Sequence, residues 1–238
     1  MLKGVCLHGS LAMGSYYPPK SDMDVIAVVR KGLDTARAAA LLYKVAVFAG
    51  EKPTIGDIEF SVITEAVAKS VPNPMPYELR YSEAWRARIL SGEVAFGAAQ
   101  FDSDLFAHLL CLKQRGVCLC GAAIDDVFGE VAWADFMYAV LDGENILESP
   151  YYCVFNICRV LQLLEIGERR VYSKEEGALW GLSFFPAAFA PMIQKALDVY
   201  RDDTPIAAAD RRRGGVAWDD EALLVFRDYA REMAAKHN

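Results

Sequence analysis

One stretch near the start of the chain limits its possible folds more than any other. A short apolar strand ends at Gly9 and Ser10, and a second apolar strand follows over Met23–Val29. Asp22 and Asp24 stand at the start of that second strand. Alternate residues of a strand point to the same side, so we expect the two carboxylates to converge on one point.

The same stretch predicts an anion site. Gly9 has no side chain to block a ligand from the backbone, and residues 11–13 can begin a helix whose first N–H groups face Ser10. Two carboxylates beside an anion site suit a divalent metal that holds a polyphosphate. The alternative is a glycine turn followed by a solvated Asp-x-Asp pair, but the order and spacing of all the parts favour the metal site. The pattern, with Ser21 before Asp22, resembles the signature of the nucleotidyltransferase superfamily.

A later strand predicts a third carboxylate. Residues 58–63 alternate strictly, which places Asp57, Glu59 and Ser61 on one face. Beside the strand of Asp22 and Asp24, this face would add an acid to the site. The alternative is an edge strand with a solvated acidic side.

Four segments in order sharpen the resemblance: Ile-Glu-Phe-Ser-Val at 58–62, Pro-Tyr-Glu-Leu-Arg-Tyr-Ser at 76–82, Asp-Leu-Phe-Ala-His at 104–108 and Arg-Gly-Val-Cys-Leu-Cys-Gly at 115–121. They are similar to the aminoglycoside adenylyltransferases that modify streptomycin and spectinomycin, over nearly the whole chain. The resemblance implies that Glu59 is the general base, with Asp57 as the physical alternative. It also implies ATP as co-substrate and Mg²⁺ held by Asp22, Asp24 and Glu59.

The second half is helical in pattern, and two of its features concern phosphate. The segment 151–166 is apolar almost all round but contains Asn156 and Arg159, three residues apart. Arg159 either forms an internal ion pair or binds a phosphate, because an unpaired buried charge is too costly. Ser173 and Glu176 form a capping box that holds Lys174 at a helix N-terminus. The resemblance implies that the nucleotide-binding residues are Gly9, Ser10, Ser21, Arg159, Lys174 and Tyr229.

The predicted fold class is α+β. An N-terminal nucleotidyltransferase α/β domain with a mixed sheet (residues 1–128) precedes a C-terminal all-helical bundle (residues 129–238), with ATP expected in the cleft between them. A helix is predicted over residues 34–49, capped by Asp34, with Phe48 in its apolar stripe and Gly50 just past its end. His108 is expected in the core, whereas His8 could be a structural residue or a phosphate neighbour.

Composition narrows the partners. The 238 residues include 25 basic and 32 acidic side chains, a net charge of −7 that argues against a nucleic-acid partner and suits a small cationic substrate. No signal peptide or membrane span is evident, and the six cysteines suit buried thiols in a reducing cytoplasm. We expect a cytoplasmic monomer or weak dimer.

The expected acceptor is a hydroxyl of an aminoglycoside or aminocyclitol, with pyrophosphate as the second product. Streptomycin-accepting relatives resemble one another in a tryptophan and an aspartate before the Asn-x-x-Arg helix. Residues 140–150 contain acids but no tryptophan, so spectinomycin is favoured over streptomycin. Relatives also usually have a helix before the first strand, and its lack here could leave an apolar surface for a partner. A protein adenylyltransferase, a toxin–antitoxin type regulator and a non-catalytic nucleotide-binding relative remain alternatives.

Overall fold

The computed structural model of the chain describes residues 2–18, 20–52, 56–94, 100–141 and 145–237. The chain forms two compact units, Met1–Ala139 and Val140–Asn238. The domain boundary predicted between residues 128 and 129 stays a prediction. Asp142 and Glu144, the first acids of the stretch expected to distinguish acceptors, lie outside the described residues.

The first unit contains the predicted mixed sheet, with five strands in the order β5-β3-β2-β1-β7. Strands β2 and β3 run parallel, and the other neighbouring pairs run antiparallel. Strands β4 and β6 form a separate two-stranded sheet. The strands are β1 (Leu2–His8), β2 (Met23–Val29), β3 (Ile58–Thr64), β4 (Pro76–Tyr77), β5 (Leu79–Tyr81), β6 (Gln100–Phe101) and β7 (Val117–Gly121).

The centre of the sheet is the apolar core of this unit. Ile26 and Val28 of β2, and Val62 and Ile63 of β3, are completely buried. Strand β3 lies between β2 and β5, so the edge-strand interpretation of residues 58–63 is wrong. Ser61, on the face expected to be polar, is also buried, because β3 is covered on both sides at this point.

The first long helix, α2 (Thr35–Glu51), has the predicted N-cap residue but ends later than predicted. Asp34 Oδ1 accepts a hydrogen bond from the Arg37 N–H at 2.8 Å. The helix runs to Glu51, so Gly50 lies inside it and not after it. The buried positions are Ala38, Leu42, Ala46 and Ala49, whereas Phe48 is 56% exposed. Leu42 and the small alanines face the core, and the aromatic ring of Phe48 does not.

The helices of this region begin with α1 directly after β1. They are α1 (Gly9–Met13), α2 (Thr35–Glu51), α3 (Glu65–Ser70), α4 (Arg86–Leu90), α5 (Asp104–Arg115), α6 (Ile124–Val127) and α7 (Trp133–Leu141), with a 3₁₀ turn at Glu83–Trp85. The edge strand β7 is mostly exposed, including Cys120, which corrects the expectation that all cysteines are buried. Burial, with a smaller effect from the neighbouring Cys118, raises the pKa of the Cys6 thiol in β1 to about 12.

All regular structure in the described part of the second unit is helical, as predicted. Its helices are α8 (Pro150–Ile166), α9 (Lys174–Phe184), α10 (Ala190–Arg201) and α11 (Asp220–Ala234), with 3₁₀ turns at Ala187–Phe189, Ala208–Arg213 and Ala235–His237.

Two glycines bring α9 close to α8. A Cβ atom on Gly177 would lie 2.7 Å from the backbone of Arg159, and one on Gly181 would lie 2.7 Å from the Cys158 sulfur. These are shorter than real Cβ contacts, so only glycine fits this crossing. None of the helices among the described residues has the length and apolar character needed to cross a membrane.

Candidate active site

Strand register brings the predicted carboxylates together at one end of the sheet. In the parallel pair β2–β3, Asp24 lies opposite Glu59 and Met23 lies opposite Ile58. The Met23 N–H donates to the Asp57 carbonyl oxygen at 2.8 Å, which extends the pairing to the strand entrance. In-register residues of neighbouring strands project to the same face, so Asp24 and Glu59 share a face. Asp22 precedes Asp24 by two positions and lies just before the start of β2.

The glycine turn is built around one of these acids. Gly9 has a positive φ of 65°, and a Cβ atom there would lie 1.8 Å from Asp24 Oδ2. Any side chain at position 9 would therefore collide with the Asp24 carboxylate. Gly9 and Asp24, which are fifteen positions apart in the chain, therefore meet in space.

The loop between the two halves is held by its own backbone. The Ser15 N–H donates to the Ser10 carbonyl oxygen at 2.9 Å. Ser21 is buried, and its hydroxyl oxygen accepts a hydrogen bond from the Tyr17 N–H at 3.0 Å. Gly56 packs against this loop, since a Cβ atom there would lie 2.7 Å from the Ser21 carbonyl oxygen. Ser21 therefore links the loop to the entrance of β3.

The two candidate bases have different ionic partners. Glu59 Oε1 lies 2.5 Å from the Arg80 guanidinium, whereas Asp57 Oδ1 lies 3.7 Å from the Lys52 ammonium. The first pair has hydrogen-bond geometry and the second is a looser charge contact. The choice between these two acids as the base stays a prediction.

His8, the residue before Gly9, is a buried neutral side chain. It lies opposite Asp24 in the β1–β2 pair and is 2% exposed. Its ring centre is 4.9 Å from that of His108 in α5. Burial, with a smaller effect from His108, lowers the pKa of His8 well below its ordinary value. His108 is only half-buried, so the expectation that it lies in the core was wrong.

The donor set suits a hard cation. In the ranges that the structure describes, no group of three or more His, Cys, Asp or Glu side chains is arranged to enclose a metal. Mg²⁺ is usually bound by one or two carboxylates together with substrate phosphates, and not by an all-protein cage. The close approach of Asp24 to Gly9 and its register with Glu59 fit that mode. The three-residue set of Asp22, Asp24 and Glu59 stays a prediction.

In the helical unit, Arg159 is held at the α8–α9 crossing. Its Nη2 donates to Asn156 Oδ1 at 2.6 Å, and Asn156 Nδ2 donates to the Val140 carbonyl oxygen at 3.1 Å. Gly177 of α9 lies directly on the Arg159 backbone. The polar pair predicted from its i, i+3 spacing therefore exists, and it links α8 to the end of α7.

Lys174 begins α9 as predicted. Ser173 and Glu176 make both hydrogen bonds of the capping box. The Lys174 ammonium lies 3.9 Å from the centre of the Tyr152 ring in α8, a cation–π contact that the sequence did not reveal. Tyr152 is one position from the predicted helix start, and nothing in its spacing marks it as a partner of Lys174.

Tyr229 lies within an aromatic cluster. Its ring centre is 6.0 Å from that of Phe185 and 5.2 Å from that of Phe189. The role of Tyr229 in nucleotide binding stays a prediction.

Sequence reasoning gave Arg80 no role at the site. It belongs to β5, a three-residue strand, where it lies opposite Ser61 of β3. A short strand gives too few residues for a periodic signal, so its pairing with β3 could not be inferred.

The fold and the carboxylate register define a nucleotidyltransferase-like enzyme, and comparisons with known proteins make this class more specific. Residues 126–216 match the family described as aminoglycoside adenylyltransferase, C-terminal domain. An aminoglycoside (3'') (9) adenylyltransferase of Klebsiella pneumoniae is 26% identical over 222 residues, which is 88% of this chain and 83% of the relative. One from Rhizobium radiobacter is 28% identical over 192 residues, 76% of this chain and 70% of the relative.

A solved structure shares the fold. It is a spectinomycin adenyltransferase from Enterococcus faecialis with ATP and spectinomycin, with a TM-score of 0.76 and 18% identity. The match covers 98% of this chain and 91% of the other. The comparisons confirm the resemblance to the aminoglycoside adenylyltransferase family, and the names of the relatives support nucleotidyltransferase activity.

Proposed function

We propose that this protein transfers AMP from ATP to a hydroxyl of an aminocyclitol of the spectinomycin type, in a Mg²⁺-dependent reaction that releases pyrophosphate. The observation that supports this most is the in-register pair of Asp24 and Glu59 on adjacent parallel strands, with Gly9 against the Asp24 carboxylate.

The acids divide the work. Asp22 and Asp24 would hold Mg²⁺, whereas Glu59, the third acid of the predicted set, would act mainly on the acceptor hydroxyl. When bound, Mg²⁺ would neutralise charge on the α-phosphate and on the leaving pyrophosphate. Glu59 would accept the proton of the acceptor hydroxyl as its oxygen attacks the α-phosphorus in line. The bond from that phosphorus to the bridging oxygen of the β-phosphate breaks, and its electrons leave with pyrophosphate.

Other residues would bind the nucleotide. The backbone at Gly9 and Ser10, with Ser21, would bind the triphosphate. Arg159 and Lys174 would add positive charge to the phosphates, and their fixed positions support this: Arg159 is held by Asn156 and Lys174 by the capping box and Tyr152. A side chain already ordered in the free protein loses less entropy when it binds. Tyr229 would contribute to nucleotide binding from the aromatic cluster.

The acceptor is proposed on two grounds. The relatives named above act on aminoglycosides, and the fold neighbour was solved with spectinomycin. The stretch 140–150 lacks the tryptophan associated with streptomycin, and the net charge of −7 favours a cationic acceptor. A cytoplasmic location, a monomeric or weakly dimeric state and the lack of a nucleic-acid partner stay predictions.

A transfer assay tests the proposal. Purified protein is incubated with labelled ATP, CTP, GTP or UTP, with Mg²⁺ or excess chelator, and with a panel of aminoglycosides and aminocyclitols. We expect adenylylated spectinomycin and pyrophosphate with ATP and Mg²⁺ only, and no product with chelator. Label on streptomycin alone would overturn the acceptor assignment, and label on added protein without any antibiotic would favour the protein adenylyltransferase alternative.

A further inference from the structure

Arg80 bridges the candidate base to a second, anchored acid. Its Nη2 donates to Glu59 Oε1 at 2.5 Å, and its Nη1 contacts Asp102 Oδ2. All three side chains are largely shielded from solvent, with side-chain exposures of 27% for Arg80, 23% for Glu59 and 12% for Asp102. Charged hydrogen bonds in such surroundings are stronger than exposed ion pairs.

The far end of this bridge is fixed by the backbone. Asp102 Oδ1 accepts a hydrogen bond from the Asp104 N–H at 3.0 Å, at the start of α5. The Asp102 N–H donates to the Met75 carbonyl oxygen at 2.9 Å. Asp102 therefore uses one carboxylate oxygen for a hydrogen bond in its own turn, and its other oxygen lies in ionic contact with Arg80. Rotation of the carboxylate would disturb both interactions.

The near end is fixed by the sheet. Arg80 lies opposite Ser61 in the β3–β5 pair, two positions along β3 from Glu59. The guanidinium reaches along the face of the sheet toward the same edge as Glu59. A planar guanidinium that donates to Glu59 through Nη2 and contacts Asp102 through Nη1 restricts the direction in which the Glu59 carboxylate can turn.

We infer that Arg80, anchored by Asp102, is a positioning residue that orients the Glu59 carboxylate toward the acceptor hydroxyl. The inference depends on the proposed role of Glu59 as base. A displacement of about 1 Å of a reacting group can reduce the rate by about 10²-fold, so the loss of this support should appear in kcat. ATP binding should be spared, because Arg80 acts through Glu59. Among the described residues, the hydrogen bonds and ion pairs of Arg80 are with Glu59 and Asp102, and not with the glycine turn or with Asp22 and Asp24.

The test compares Arg80→Ala, Arg80→Lys and Asp102→Asn with wild type, using Mg²⁺-ATP and spectinomycin. We expect Arg80→Ala to lower kcat by about 10–10²-fold with ATP affinity within about twofold. Arg80→Lys should recover part of this loss, since it restores the charge but not the fork. Asp102→Asn should lower kcat less than Arg80→Ala does, because it weakens only the contact between Asp102 and Arg80.

Arg86→Ala is the matched control. Arg86 is in the same unit and has a similar side-chain exposure of 32%. Its Nε donates a hydrogen bond to the Ala46 carbonyl oxygen at 2.9 Å and lies 4.0 Å from Glu83 Oε1. It should leave kcat unchanged. If Arg80→Ala and Arg86→Ala lower the melting temperature equally and neither changes kcat, Arg80 has only a structural role and the inference is wrong.

Two further measurements separate this inference from the proposed function. A crystal structure of Arg80→Ala should show the Glu59 carboxylate turned or in several orientations, and an unchanged carboxylate would overturn the inference even if no acceptor is active. Glu59→Gln is assayed in parallel. If Glu59→Gln is inactive while Arg80→Ala is fully active, Arg80 has no positioning role but Glu59 can still be the base. If Glu59→Gln is fully active, the assignment of Glu59 as the base is wrong.

Discussion

The two units place their candidate functional groups by different physical means. In the first unit, Asp24 and Glu59 are neighbours because β2 and β3 are paired in parallel register. In the second, Arg159 and Lys174 are set by the close crossing of α8 and α9 at Gly177. Strand register is set by the apolar pattern of the paired strands, whereas a helix crossing depends on side-chain volume. Substitutions of the carboxylates in the first unit should therefore change ligand binding and turnover with little effect on stability, whereas substitutions at the crossing in the second should change stability together with ATP binding.

The largest effect is expected for Asp24→Asn. Loss of a metal-binding carboxylate should reduce both Mg²⁺-ATP binding and turnover, by several kcal/mol or about 10³-fold in rate, with little change in melting temperature. Titration calorimetry and the transfer assay measure the two quantities. Asp126→Asn, an exposed acid of α6, is the control and should behave as wild type. Equal ATP affinity in Asp24→Asn and wild type would contradict the metal site.

Arg159→Ala should weaken ATP binding by about 2–5 kcal/mol, typical of removing one partner of a buried charge pair. Arg231→Ala, an exposed arginine of α11 with 71% side-chain exposure, should leave the affinity unchanged. A variant of Arg159 that melts earlier yet binds ATP normally would show that its contact with Asn156 serves the helix bundle alone.

Gly177→Ala tests the crossing itself. The added methyl group would lie 2.7 Å from the Arg159 backbone, so α9 must move and we expect a loss of about 1–3 kcal/mol in unfolding free energy. In the matched variant Gly50→Ala, the methyl group meets the end of the flexible Arg86 side chain. That variant should be neutral or slightly stabilised through helix propensity. Equal denaturation midpoints for Gly177→Ala and Gly50→Ala would contradict the claim that the α8–α9 crossing depends on the lack of a side chain at position 177.

A smaller effect is expected for acidification. The pKa of His8 is lowered in the folded protein by burial and then by His108, so the unfolded chain binds this proton more readily. His8 therefore contributes most to stability above its ordinary value of 6.5, and the contribution falls as the pH drops through and below that value. His8→Gln should show a shallower loss of stability from pH 7 to pH 5 than wild type. The exposed-site variant His237→Gln should follow wild type, and a parallel curve for His8→Gln would contradict this account.

The sequence was sufficient to predict those features of the candidate site that lie within one short segment of the chain. The glycine turn, the strand of Asp24, the strand of Glu59 and the capping box of Ser173 all belong to short segments with fixed spacing, and the structure has each of them. The α+β class followed from the change between strand and helix patterns.

The contacts that sequence reasoning missed join segments far apart in the chain. Arg80 reaches Glu59 through a three-residue strand, and Lys174 reaches Tyr152 through a helix crossing that two glycines permit. Phe48 of α2 was also placed wrongly, since it is exposed whereas Leu42 and the alanines of that helix are buried. These features depend on which strands and helices pack against one another, and the residue spacing of a single sequence does not reveal that packing.

The central claim is that Glu59, and not Asp57, removes the proton of the acceptor. The direct measurement compares Glu59→Gln with Asp57→Asn, with ATP affinity and spectinomycin adenylylation determined separately for each. We expect Glu59→Gln to bind ATP almost normally and to lose about 10²–10⁴-fold in turnover, the range of a positioned general base, while Asp57→Asn stays active. If Asp57→Asn binds ATP but does not turn over and Glu59→Gln remains active, the wrong acid has been assigned as the base.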